Sequence, residues 1–150
     1  MTINSSAKAV ELAKRGKLVL ALELFEADPA FKENAIALSY YALCVAVLRD
    51  KCDEALVILR GAVKKDRFQP DIYMNIGRVY VLKERKDFAA KAFVKGLSLD
   101  RSHAGILKEI KKLGIRQRAL IPFLPRKNVL NKVLGKIIYE LKHAKKQEQS

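Results

Sequence analysis

Tryptophan is missing from this 150-residue chain, and cysteine, proline and glycine are scarce, at two, four and seven residues. Each shortage removes a class of protein. Two cysteines, Cys44 and Cys52, cannot build a disulfide framework and have no CxxC spacing, so free thiols in helices are expected. With so few prolines and glycines, and no alternating stretch rich in valine or threonine, the chain reads as all-α. No apolar run approaches the length of a membrane span, so the protein is expected not to cross a membrane. The opening segment MTINSSAKAVELAKRGK lacks the apolar core of a secretory signal, and a reducing cytoplasm is the expected setting.

Chemistry is equally thin. His103 and His143 are far apart in the chain and belong to no metal-ligand spacing. Gly16, Gly61, Gly77 and Gly96 are isolated and form no phosphate-cradling loop. Asp53-Glu54 reads as the acidic first turn of a helix. No catalytic constellation, metal site or cofactor is expected, and the chain is read as a non-enzyme.

Apolar content and positive charge are abundant. Half of the residues are hydrophobic, enough for one domain with a continuous core. Lysine and arginine number 30 against 16 acidic residues, a net charge of +14. Residues 1–103 hold 18 basic and 13 acidic side chains, whereas residues 104–150 hold 12 and 3. An acidic protein surface, nucleic acid and an anionic membrane surface are all physically reasonable partners for such a balance.

Sliding the chain along itself until Ala21 falls on Ala55, and Ala55 on Ala89, gives the strongest signal. Each of these alanines is followed four positions later by a large side chain, Phe25, Leu59 or Phe93. Leu12, Ala46 and Tyr80 keep the same spacing, and Ala62 pairs with Gly96, Val63 with Leu97 and Asp66 with Asp100. Ala42 and Ile76 share an apolar position where the first copy has Lys8, a mismatch. Three copies, 2–35, 36–69 and 70–103, each read as two helices around a polar turn: Arg15-Gly16-Lys17, Arg49-Asp50-Lys51 and Glu84-Arg85-Lys86. The second helix of each copy has a small residue where a neighbour must come close and a large one a turn later to fill the gap, a ridges-into-grooves requirement. One hairpin cannot bury its apolar face, so several must stack.

The third copy, PDIYMNIGRVYVLKERKDFAAKAFVKGLSLD, resembles a tetratricopeptide repeat. Tyr73 stands at the family's first aromatic position, Ile76-Gly77 at its Leu-Gly pair and Tyr80 at its second aromatic. Ala89, Phe93 and Gly96 match the small–large–small positions of its second helix. The second copy keeps Ala55, Leu59 and Ala62 but has Leu43 where glycine is expected. The first keeps Ala9, Ala21 and Phe25 and ends early at Asp28-Pro29. The resemblance implies a right-handed solenoid of three helical hairpins over 2–113, with residues 103–113 as a capping helix. It implies that the first helices line a concave groove for a peptide or amphipathic helix. On the register of the third copy that groove presents Tyr40, Cys44, Val47, Leu48, Met74, Asn75, Arg78 and Val81, with Asp71 at its edge and Leu82 beside it. The basic clamp that one class of the family uses for C-terminal carboxylates is not there: its positions hold Ser6, Val10, Tyr41, Asp71 and Asn75.

Residues 114–150 read as a basic extension packed on the repeats. Pro122 and Pro125 preclude a regular helix near 114–128, and Asn128 is placed to cap a last helix with an apolar stripe of Leu130, Val133, Leu134, Ile137, Ile138 and Leu141. Arg116, Arg118, Lys132 and Lys136 are candidate basic contacts. Three functions are compatible with these features. The leading one is a protein–protein interaction module, an adaptor or chaperone-like binder. A second is a nucleic-acid-associated protein, disfavoured because no base-stacking motif is visible. A third is a homo-oligomeric structural protein that uses its last helix.

Overall fold

A computed structural model describes residues 4–113. Among these residues there are seven α-helices and one 3-10 turn, and no strand, as an all-α chain requires. The helices are α1 (Ser5–Lys14), α2 (Leu18–Ala27), α3 (Ala35–Arg49), α4 (Cys52–Lys65), α5 (Pro70–Leu82), α6 (Lys86–Leu99) and α7 (Ala104–Lys112), with the 3-10 turn at Pro29–Glu33 between α2 and α3. They pair as hairpins, α1 with α2, α3 with α4 and α5 with α6. Successive hairpins meet through their first helices, α1 on α3 and α3 on α5, while α2 also packs on α3 and α4 on α5. The last helix, α7, lies against α5 and α6.

The turns repeat in conformation as well as in sequence. Gly16, Asp50 and Glu84 are evenly spaced along the chain at the repeat interval, and all have positive φ, at 78°, 53° and 57°. A left-handed residue reverses the chain directly after a helix, and glycine does so without strain. Asp50 belongs to a residue type that tolerates this region, whereas Glu84 adopts the same geometry against its steric preference. The far ends match too. Asp28, Asp66 and Asp100 follow α2, α4 and α6 in extended conformation, with φ of −135°, −151° and −142°. Each carboxylate accepts the backbone N–H two residues on, at 3.0 Å. That bond stops the helix and turns the chain.

The core follows the small–large pattern. Ala21, Ala55 and Ala89 are fully buried, and so are Phe25, Leu59 and Phe93 one turn later. Gly77 on α5 explains the coupling: a Cβ there would overlap the Phe93 ring of α6. Gly96 likewise leaves room for Ile106 of α7. Burying a side chain such as Phe93 contributes about 1.5–3 kcal/mol, so three such anchors hold the hairpins shut. Phe31, in the 3-10 turn, fills the place left by the early end of the first copy. Its ring centroid lies 5.1 Å from that of Phe25 and 4.6 Å from that of Tyr41. Lys8, the mismatch in the first copy, is exposed, because no hairpin precedes α1 among the described residues.

Candidate partner-binding cleft

A cleft of about 460 Å³ opens where the C-terminal halves of α1, α3 and α5 face α7. Its apolar lining includes Leu18, Leu43, Val47, Val81 and Leu82, and its charged lining includes Lys14, Arg78, Lys108, Glu109 and Lys112. Val47, Val81 and Leu82 keep 43%, 36% and 48% of their surface exposed, as does Leu48 at 40% beside them. This is an apolar surface that the helices themselves leave uncovered.

The sequence places eight residues in a groove, and the structure divides them. Val47, Arg78 and Val81 line the cleft, and Leu48 is exposed on α3 without lining it. Tyr40, Cys44, Met74 and Asn75 are buried, which corrects the expectation that they face a partner. Each burial has a visible cause. Lys14 of α1 reaches across α3 to place its Nζ 3.3 Å from Asp71 Oδ2, and 5.7 Å from the centroid of the Tyr40 ring, which it roofs. Met74 lies under α7, where a Cβ at Gly105 would sit 2.6 Å from its sulfur. Asn75 donates from Nδ2 to Ser39 Oγ at 3.1 Å and accepts from Arg78 Nη1 at 3.4 Å. Cys44 belongs to the buried cluster, and desolvation pushes its thiol up to about 12, so it stays protonated and unreactive at neutral pH.

Asp71 is the centre of a polar clasp at the closed end of this face. Its Oδ1 accepts from the Tyr40 hydroxyl at 3.3 Å and faces His103 Nε2 at 3.0 Å. His103 Nδ1 accepts the Ile106 N–H at 3.2 Å and so caps α7, which leaves the ring proton on Nε2 to be donated to Asp71. Burial, and then the charge of Asp71, raise the Tyr40 phenol well above its ordinary value. Four helices are joined by one carboxylate: α1 by Lys14, α3 by Tyr40, α5 by Asp71 itself and the start of α7 by His103. A parallel link runs from Arg78 Nε to Glu109 Oε1 at 2.9 Å, tying α5 to α7 along the cleft wall. Every buried side-chain nitrogen and oxygen among the described residues has a partner. These groups are consumed in holding helices together.

Lys108 and Lys112 line the cleft without having been expected there, because the groove implied by the resemblance ends with the third copy and α7 reads as a cap; Lys14 is missed because groove residues are assigned on the second and third copies alone. A signal was available: Lys108 and Lys112 are one turn apart on a helix whose Ile106 aligns with Ile72 at the repeat interval. Among the described residues no group of three or more histidine, cysteine or acidic side chains converges as a metal site. No described helix is long and apolar enough to cross a membrane. Arg116, Arg118, Lys132 and Lys136, the helix expected after Asn128 and the packing of the extension lie outside the described residues. No family model matches the chain, and no curated protein matches its sequence.

Proposed function

We propose that the protein is a non-catalytic interaction module of the tetratricopeptide-repeat kind, a right-handed stack of three hairpins capped by α7, which binds a peptide or helix of another protein in the cleft. The architecture is supported by left-handed residues at 16, 50 and 84, by the matching aspartate turns, and by first helices that meet in series. The binding role rests on one observation. Val47, Val81 and Leu82 remain exposed in a concave place, with Leu48 exposed beside them, while Leu43 of the same lining is buried. Exposed apolar patches of this kind mark interaction sites. The free thiols Cys44 and Cys52 suit a cytoplasmic adaptor or chaperone-like binder.

The test is recovery of partners by full-length protein carrying Val81→Glu, compared with wild type. A charge at this exposed position leaves the fold intact, so loss of recovered partners with an unchanged thermal melt is expected. Undiminished recovery would remove the cleft as the binding site. Met74→Glu is the contrasting control: it forces a carboxylate beneath α7, and the fold itself should be lost.

A further inference from the structure

The charge of the cleft is one-sided, and the identity of its occupant rests on the reading of the cleft as a docking site. Lys14, Arg15, Arg78, Lys108 and Lys112 stand there against Glu109 alone. Lys14 is held by Asp71, Arg15 by Glu11 and Arg78 by Glu109. Glu109 must also serve Lys112, at 3.4 Å, and Lys108 has no acidic partner among the described residues. The uncompensated charge therefore sits on the α7 wall, on two lysines one turn apart and on one helical face. Opposite them, on the ends of α3 and α5, lie the exposed Val47, Val81 and Leu82. The cleft thus has an apolar side and a cationic side that run together.

The sequence argues against two alternative occupants. Residues 114–150 carry nine lysines and arginines against two acidic residues, and a second copy of the chain brings a net charge of +14. Either would bring like charge to the lysine wall, which costs affinity. We infer that the cleft receives an amphipathic helix of a partner protein with an acidic edge. Its apolar side chains rest on Val47, Val81 and Leu82, and two carboxylates spaced one turn apart face Lys108 and Lys112. The apolar contact supplies most of the affinity, and the charge pairs select the partner and its direction.

Fluorescence anisotropy on the full chain tests this with three labelled synthetic peptides. One is an amphipathic helix with leucines on one face and glutamates along its edge. The second has lysine in place of every glutamate. The third is a scramble of the first without helical periodicity. The acidic amphipathic peptide should bind at least about tenfold more tightly than either control, a difference of about 1.4 kcal/mol. Lys108→Glu with Lys112→Glu should narrow or invert the preference between the first two peptides. Val81→Asp should weaken the first peptide about tenfold or more, as for an anchor at the centre of an interface. Circular dichroism melts of both variants check that the fold survives. Equal binding of the acidic and basic helices, both weakened by Val81→Asp, overturns the acidic partner while the cleft stands. Binding of the acidic peptide that ignores Val81→Asp overturns the cleft and the inference together. Tight binding of the scramble, or failure of all three peptides to bind, overturns the inference.

Discussion

Two glycines inside helices do opposite things. Gly77 on α5 faces the Phe93 ring, and a Cβ there would overlap it. Gly61 on α4 has nothing within 4 Å of a built Cβ among the described residues. Replacing helical glycine by alanine gains about 0.8–1 kcal/mol in propensity when space permits. Gly61→Ala should therefore stabilise by up to about 1 kcal/mol. Gly77→Ala gains the same propensity but forces the ring of a fully buried phenylalanine to move, and overpacking costs about 1–3 kcal/mol. The net effect at position 77 is destabilisation. Urea melts of the two variants check both signs. A stabilised Gly77→Ala protein would mean that Phe93 can yield, and the small–large pairing would lose its physical basis. At this scale the sequence is most legible, because a fixed repeat interval registers what is small and what is large. It is blind to side chains that reach across helices, and for that reason it misplaces Tyr40 and Asn75. Nothing in their spacing shows that Lys14 will roof the one or that Ser39 and Arg78 will occupy the other.

At the scale of elements, the period also locates the hairpins, and the three polar turns fall within one residue of where the sequence puts them. The 3-10 turn at Pro29–Glu33 has no counterpart in the other copies, so self-comparison could not find it. The clasp on Asp71 is likewise a property of assembled helices, and it has a measurable pH signature. Tyr40 has its phenol raised above the unfolded value of about 10. Below that value tyrosine is protonated in both states and its contribution to stability is complete. As pH rises past it, the unfolded chain releases the proton while the folded chain keeps it, so stability falls until the folded group ionises as well. Chemical denaturation between pH 8 and pH 11 should show a steeper alkaline loss for wild type than for Tyr40→Phe. At pH 8 the variant should be weaker by about 1 kcal/mol, from the lost bond to Asp71. Parallel profiles for the two proteins would place the alkaline loss on other groups and exclude Tyr40 from it.

At the scale of the molecule, the described residues 4–113 pack neighbour on neighbour, and this predicts which of their helices open first. The middle helix α3 touches α1, α2, α4, α5 and the 3-10 turn, and buries eight of its residues. The first helix α1 touches only α2 and α3 extensively, and buries Ala9 and Ala13 alone. Two buried alanines, with Val10 and Leu12 only partly buried beside them, withdraw less apolar area from water than the eight buried residues of α3, so opening α1 costs less than opening α3. The proposed repeat stack implies this gradient, because in such a stack each unit is stabilised by its immediate neighbours. The clasp opposes the gradient, since Lys14 at the end of α1 is fastened to Asp71 of α5. That pair is half-exposed at the lysine, however, and exposed ion pairs contribute less than about 1 kcal/mol. It slows fraying without abolishing it. Native-state hydrogen exchange should then find the amides of α1 opening at least about tenfold more often than those of α3, and Lys14→Ala should widen the ratio. Equal protection in α1 and α3 would instead show that the helices open only together, as around one shared centre. The serial packing of hairpins would then describe their geometry and not their energetics, and the cleft at the end of α1 could not loosen apart from the core.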